Sequence, residues 1–301
     1  MAGKTLQIQS VIYNNKKESL MKAMHSIQNA IRVDRQYGKS LESAVVYYGD
    51  ASPEPVFTDQ EISGLKEMFK KEFEFRYCFF NENTGSAKGH NTMGADCGCE
   101  YMLIMNPDVI LAPDVFEHLF RPFDLDEQAG MVEARQTPIE HSKEYDITTG
   151  ETDWAATACA VFPRKLFEQL GGFDHETFFL YCDDLDFSWR IRLEGYKLIY
   201  QPKAVCFHAK RLSKQGKWEP TEAEKYYSTE SAIFIAYKWS NNERTAYLLD
   251  MFSKGSETQR KAAAEFEKRR AEGRLPQQID QDHKIAKFSG DYFTEHRFYL
   301  V

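Results

Sequence analysis

Residues 6–13 alternate apolar and polar positions and are rich in β-formers, and residues 19–33 then place Leu20, Met24, Ile27 and Ile31 at helical spacing. The exchange repeats down the chain. A short buried-type strand at 44–48 is closed by Gly49-Asp50-Ala51-Ser52, and a helix follows at 58–71. Next come a strand at 75–80, a glycine-rich turn entering a helix at 85–100, and a strand at 101–105. Strands alternating with helices predict an α/β fold, with a mixed, mostly parallel sheet flanked by helices. In such sheets ligands sit beyond the carboxyl ends of the strands. Asn14-Asn15, Asp50, residues 81–83 and residues 106–108 all fall just after strands, so they should line one edge.

Past Pro113 the pattern gives a helix at 114–120, a polar, turn-rich span at 121–152 and a small apolar run at 155–162. A helix at 165–170 ends on Gly171-Gly172. The helix at 184–194 is acidic in its first turn and has Arg190 and Arg192 in its last, so both ends complement the helix dipole. A strand at 204–208 closes on His208. Composition shifts after about residue 210: a basic connector at 210–220, helices rich in Tyr and Trp at 221–252, a charged helix at 256–274, and a polar, then aromatic tail. The expected organisation is a catalytic domain at 1–210 and a helical extension at 211–301. The charged helix reads first as a solvated face or an oligomer contact, which leaves a homodimer and a membrane-surface contact both open.

Hydrophobic residues make up 42% of the 301, enough for a sizeable core, and the 14% of aromatics also suits a groove lined with ring faces. The net charge of -8 argues against a nucleic-acid partner. A phosphorylated ligand remains compatible with it if a divalent metal supplies local positive charge. None of the six cysteines stands in a CxxC pair, so buried free thiols in a reducing compartment are expected. The first residues run straight into a strand, and no apolar run is long enough to cross a bilayer. The expected location is cytoplasmic, with peripheral contact at the inner face of a membrane left open.

Two constellations carry chemistry. Asn106-Pro107-Asp108 ends an apolar strand, where a rigidly held carboxylate can reach a cation that bridges a diphosphate, although a plain strand-end turn reads equally well. Asp183, Asp184 and Asp186 put three carboxylates at one helix start. One would serve as a cap; three repel one another unless a cation or a substrate hydroxyl compensates. One of them can accept the proton of an attacking hydroxyl, even from an ordinary pKa of about 3.9, because the hydroxyl acidifies as the new bond forms. His208 gains meaning if it shares a cation with Asp108, and an imidazole ligand favours Mn²⁺ over Mg²⁺. Residues 83–91, NTGSAKGHN, resemble a loop that approaches phosphate or sugar closely. Trp154 and Tyr181 could offer ring faces to a sugar, whereas Trp189, inside a helix, reads as core.

As a set, VIYNN, NENTGSAKGHNTMGAD, EYMLIMNPDV and GGFDHETFFLYCDDLDFSWRIRLEGYKLIYQPKAVCFH resemble, in this order, the inverting nucleotide-sugar glycosyltransferases of family 2 with the GT-A fold. The last block is similar to the acceptor side of rhamnosyl- and galactofuranosyltransferases. The resemblance covers roughly residues 5–210 and implies roles by position. Asp108 and His208 would bind Mn²⁺ or Mg²⁺, Asp184 would be the catalytic base, and Asp183 would contact substrate hydroxyls. Tyr13, Asn14, Asp50, Ala87, Lys88, Asn91 and Asn106 would line the donor, with Trp154 and Asp186 on the acceptor side. Gly49 stands where the family usually has Asp, and Asn106 replaces one acidic residue of the metal motif. The implied donor is a UDP- or dTDP-sugar, rhamnose before galactofuranose, and the implied acceptor is a growing, lipid-linked cell-surface glycan. A sugar-1-phosphate nucleotidyltransferase is the rival enzyme, although the first strand leads to no glycine-rich triphosphate loop. A non-catalytic glycan-binding scaffold is the other alternative, and the intact acidic cluster argues against it.

Overall fold

The computed structural model describes residues 3–140, 143–208 and 219–289. The alternation of the sequence becomes β1 (Lys4–Ile12), α1 (Lys17–Val33), β2 (Leu41–Asp50), α2 (Asp59–Phe69), β3 (Glu74–Phe79), α3 (Gly85–Ala95) and β4 (Tyr101–Met105). A π-helical turn, Asp34–Gly38, extends α1. These four strands are mutually parallel in the order β3-β2-β1-β4, so their carboxyl ends share one edge as expected.

The second half closes the sheet with mixed directions. It comprises β5 (Val109–Leu111), α4 (Val115–Leu125), β6 (Ala129–Thr137), β7 (Glu151–Thr152), β8 (Cys159–Pro163), α5 (Arg164–Gln169), α6 (Asp183–Leu193) and β9 (Lys197–His208). Strand order continues β4-β8-β6-β9-β5, with β7 paired to β9. β8 runs antiparallel to both β4 and β6, and β5 antiparallel to β9. The span at 121–152, read from sequence as polar and turn-rich, is corrected here: it contains β6, a buried strand in the middle of this half-sheet. Glu133 and Gln136 disguise it; both are buried, and each is matched to a specific partner described below.

Strand alternation divides the core. β4 sends Leu103 and Met105 to the face covered by α1, α2 and α4, and Met102 and Ile104 to the face covered by α3, α5 and α6. A third apolar cluster joins α6 to α7 (Glu222–Lys238), α8 (Asn242–Ser253) and α9 (Glu257–Ala271). Capping boxes start α7 at Thr221 and α9 at Ser256. Trp189 and Leu185 of α6 lie in the same cluster as Phe234, Trp239 and Phe266, so the C-terminal helices pack directly against the helix that carries the acidic residues. The charged helix α9 is not solvated all round, since Ala262, Ala263 and Phe266 are buried. Residues 209–218, most of the expected connector, lie outside the described residues, as does the tail from 290. Among the described residues, no helix is long and apolar enough to cross a membrane.

Candidate active site

The parallel half of the edge is mostly self-satisfied. Asn14 adopts a left-handed conformation after β1, and its N–H donates to Ser52 Oγ at 2.8 Å. Tyr13 beside it is exposed. Asp50 is fully buried and accepts from the backbone N–H groups of Ser52 (2.9 Å) and Val56 (2.7 Å) and from the Tyr77 hydroxyl. Its carboxylate therefore shapes the loop after β2 and has no exposed oxygen for a nucleotide. A Cβ at Gly49 would lie 2.4 Å from the Phe80 ring and 2.9 Å from Met93 Sδ, so the side chain that the family resemblance calls for would require both neighbours to shift.

On α3, Ala87 is buried, and Lys88 reaches out to Glu82 at 2.7 Å. Asn91 is turned away from the edge: its amide donates to Phe173 O (2.7 Å) and accepts from Phe173 N–H (2.8 Å), pinning the turn after Gly171-Gly172. Gly85 has φ +64°, and a Cβ on it would meet Phe179 O at 2.2 Å. Glycine at this point lets the start of α3 lie against the segment leading into α6, where Ser86 N–H donates to Phe179 O at 3.0 Å.

The antiparallel half brings the metal-type residues together. The pairing of β5 with β9 puts Val109 opposite His208, and His208 Nε2 then stands 3.4 Å from Asp108 Oδ1. Gln136 Oε1, on β6, accepts from His208 Nδ1 at 2.8 Å. That bond fixes the tautomer and leaves the Nε2 lone pair facing Asp108, with Asn106 Nδ2 at 3.3 Å. A lone pair facing a carboxylate is the donor set a divalent cation needs, and a buried partner on the far nitrogen is the usual support of a ligating histidine. Among the described residues, no group of three or more His, Cys, Asp or Glu side chains converges for a metal.

The acidic cluster divides by direction. Tyr181 and Cys182 both have positive φ, +68° and +59°, which delivers the chain into α6 with Asp183 and Asp184 at its N-terminus. Asp183 is buried near Ser86, and its Oδ2 has no hydrogen-bond partner among the described residues. Burial raises its pKa. Asp184 Oδ1 accepts from Leu185 N–H at 2.8 Å. Burial, then the neighbouring Asp183 charge, push Asp184 up to about 7, against the pull of the Leu185 and Thr157 N–H groups and of Lys143. The ordinary carboxylate value expected from sequence is thereby corrected: near neutral pH this group can both take and release a proton. Asp186 is also corrected. It is fully buried, held by Arg190 Nε (2.8 Å), Lys238 Nζ (2.6 Å) and Trp239 Nε1 (3.1 Å), so no acceptor reaches it.

One short segment links the two halves of the site. Asn106 N–H donates to Ala158 O at 2.9 Å, and the adjacent Thr157 N–H is directed at Asp184. The residues beside the metal-type pair and the base-type carboxylate are thus neighbours of a single strap. Residues 11–186 match the sequence profile of glycosyl transferase family 2, more than half of the chain.

The chain belongs to glycosyl transferase family 2.

Two curated relatives support the family assignment over shorter stretches. An N-acetylglucosaminyl-diphospho-decaprenol L-rhamnosyltransferase of Mycobacterium tuberculosis is 37% identical over 87 residues, 29% of this chain and 27% of the relative. A poly-beta-1,6-N-acetyl-D-glucosamine synthase of Staphylococcus epidermidis is 21% identical over 170 residues, 50% of this chain and 40% of the relative. The chain therefore matches less than half the length of either. Among solved structures, GalNAc-T7 with UDP, GalNAc and Mn²⁺ superposes with a TM-score of 0.63 at 15% identity, covering 94% of this chain and 57% of that one. A Pyrobaculum calidifontis mannosyltransferase with GDP-Man and Mn²⁺ gives 0.55 at 18% identity, covering 90% and 81%. These likenesses show the fold: this family 2 member has the GT-A architecture, a mixed, mostly parallel sheet flanked by helices.

Within that architecture, sequence reasoning missed Ser86, Gln136, Glu133, Lys143 and Thr157. Gln136 was legible in principle, as a polar residue in a strand whose other inward positions are apolar. Lys143 is 2% exposed; its Nζ donates to Glu133 Oε2 and to Trp154 O, both at 2.6 Å, and stands 3.9 Å from the Trp154 ring centroid. Trp154 is itself 8% exposed, so its ring meets this lysine instead of lying open as a platform for sugar. A cavity of about 480 Å³ lies behind α6, lined by Asp174, Arg190, Lys238 and Arg274 among others. None of the sequence-predicted site residues lines it.

Proposed function

We propose that this family 2 member transfers a sugar from a nucleotide-sugar to a hydroxyl, in one in-line displacement with inversion at the anomeric carbon. The observation that carries the reading is the strap at 157–158: on one side of it stands Asp184, with its pKa near neutral, and on the other Asn106, beside the Asp108–His208 pair. Asp184 takes the proton of the acceptor hydroxyl as that oxygen attacks. The bond to the nucleoside diphosphate breaks, and the diphosphate departs with the electron pair. Asp183 Oδ2 is buried without a hydrogen-bond partner among the described residues, so Asp183 would meet a substrate hydroxyl only if the start of α6 opened toward it. Asp108 and His208 would hold a divalent cation, Mn²⁺ before Mg²⁺ because of the imidazole; it would supply positive charge to the diphosphate. The α6 N-terminus adds its own favourable potential for negative charge at the site.

The donor proposed is a UDP- or dTDP-sugar, with rhamnose first on the strength of the mycobacterial relative's printed activity, and galactofuranose second. The acceptor proposed is a growing surface glycan, met at the inner face of a membrane. Residues 1–210 carry the transfer, and α7, α8 and α9 brace α6. Tyr13, Asn14 and Lys88 are proposed to lie nearest the donor, while Asp50 and Asn91 hold its loops in shape.

The test is a thermal-shift panel with UDP, dTDP, GDP and CDP, each with and without Mn²⁺. A nucleotide that binds only the folded chain raises the melting temperature by mass action. Metal-dependent stabilisation by UDP or dTDP is the expected result. No stabilisation by any nucleotide would overturn the reading.

A further inference from the structure

A buried lysine that the transfer step does not use lies close behind the base. Lys143 and Glu133 are each 2% exposed and form a 2.6 Å ion pair. A buried pair is kept at a desolvation cost that apolar residues would avoid, so its geometry merits an explanation. Both members hold the same short segment. Lys143 Nζ donates to Trp154 O, while Ala156 N–H is directed at Glu133. From the opposite side, Ser188 of α6 accepts from Ala155 N–H and donates to Ala155 O, each at 3.1 Å. Residues 154–157 thus form a strap, buried throughout, clamped between the ion pair and α6. The next group on it, Thr157 N–H, is aimed at Asp184.

We propose that the Lys143–Glu133 pair is a positioning device for Asp184: it seats the strap so that one backbone N–H and one buried ammonium face the carboxylate that receives the acceptor's proton. The proposal rests on the transfer reading for the identity of the base. The charged and titratable groups around Asp184 are Asp183 and Asp186 on its own helix, the Cys182 thiol before it, and Lys143 and Glu133 across the strap. Of these, Lys143 is the cation whose charge favours ionised Asp184. Its field and the Thr157 N–H act in the same direction, opposing burial and the Asp183 charge.

The test is carboxyl-¹³C NMR of the full chain with labelled aspartate, titrated between pH 5 and 9. The Asp184 signal is assigned by its absence in Asp184→Asn. The double variant Glu133→Gln/Lys143→Met removes the pair without leaving either charge alone. Its Asp184 step is expected to move to higher pH, with proton binding tighter by about tenfold. Removing the surface pair Asp126–Lys197 should leave the step in place. An Asp184 step unmoved in a folded double variant overturns the proposal. Should that variant fail to fold, Lys143→Met alone decides, since burial already raises the Glu133 pKa and lets it take a proton once its partner is gone. An upward move of the Asp184 step in Lys143→Met upholds the proposal, and no move overturns it. The transfer reading fails separately, if Asp184→Asn still turns over donor.

Discussion

The two faces of α6 put the same side chain to opposite uses. On the face toward the strap, Asp184 has two backbone N–H groups near it, a like charge beside it and a pKa raised to about 7. On the face toward α7, Asp186 has a guanidinium, an ammonium and an indole N–H within 3.1 Å and is fully buried. Two residues along a helix turn about 200°, so one acidic run serves both a reactive site and a structural joint. Chemistry needs a carboxylate whose proton is easily exchanged; a joint needs one whose oxygens are all held by donors. The number of compensating donors decides which is which.

The sharpest way to break this contrast is Asp184→Asn. Transfer should fall by at least about a thousandfold, with nucleotide affinity in the thermal-shift assay nearly unchanged. The same variant should be more stable than the parent at pH 8, by about 4 kcal/mol, because the folded state binds this proton more tightly than the unfolded chain. The sign fixes the window. Below about pH 4 both states hold the proton and the advantage vanishes; it grows as pH rises through the raised folded value, to a plateau above about pH 7. Urea denaturation of the two proteins at pH 4, 6 and 8 checks it, and a pH-independent difference would remove the raised pKa from the account.

Asp186→Ala should do the reverse. Lys238 keeps Asp174 at 2.7 Å and Arg190 keeps the Leu170 and Gly172 carbonyls, but both lose their shared carboxylate and the Trp239 N–H loses its acceptor, which should cost about 3 kcal/mol of stability, while the folded fraction still binds nucleotide. If catalysis collapsed in fully folded Asp186→Ala, the division of labour between the two faces would be wrong. Asp108→Ala should abolish the Mn²⁺-dependent part of the nucleotide thermal shift, and EDTA should reproduce that loss in the parent chain. The smallest effect belongs to Gln136→Leu. It frees the His208 tautomer and should weaken the Mn²⁺ requirement's half-saturation by about tenfold without changing the melting temperature of the metal-free protein by more than about 4 °C.

The contrast also explains what the sequence shows and what it conceals. The strand–helix rhythm of residues 6–105 was legible because parallel strands are apolar and their helices have a clear period. The half-sheet was legible only in pieces, because β6 carries Glu133 and Gln136 at buried positions, and a polar residue argues for a loop until its partner is known. Those partners, Lys143 and His208, are 10 and 72 residues away. Asp186 was assigned to the acceptor by its place in an acidic run. Its helical phase relative to Asp184, and Arg190 four residues on, already pointed inward. Asp50 and Asn91 follow strands or glycine turns as ligand residues do, yet backbone donors that no side-chain pattern reveals claim both. Asp108, His208, Asp183 and Asp184, by contrast, stand at one edge in the fold, linked through Asn106 and the strap at 157–158.

Trp189 sits on the helix that bears Asp184 and also touches Trp239 at the end of α7, ring centroids 5.1 Å apart. A tail that merely trailed from the catalytic part could be exchanged for another without consequence. Here the indole ties α7 to α6, so that a change in one helix has to be re-fitted in the other. The mechanical unit is therefore the pair, α6 with its helical brace, and a change at this indole contact would alter how firmly Asp184 is held.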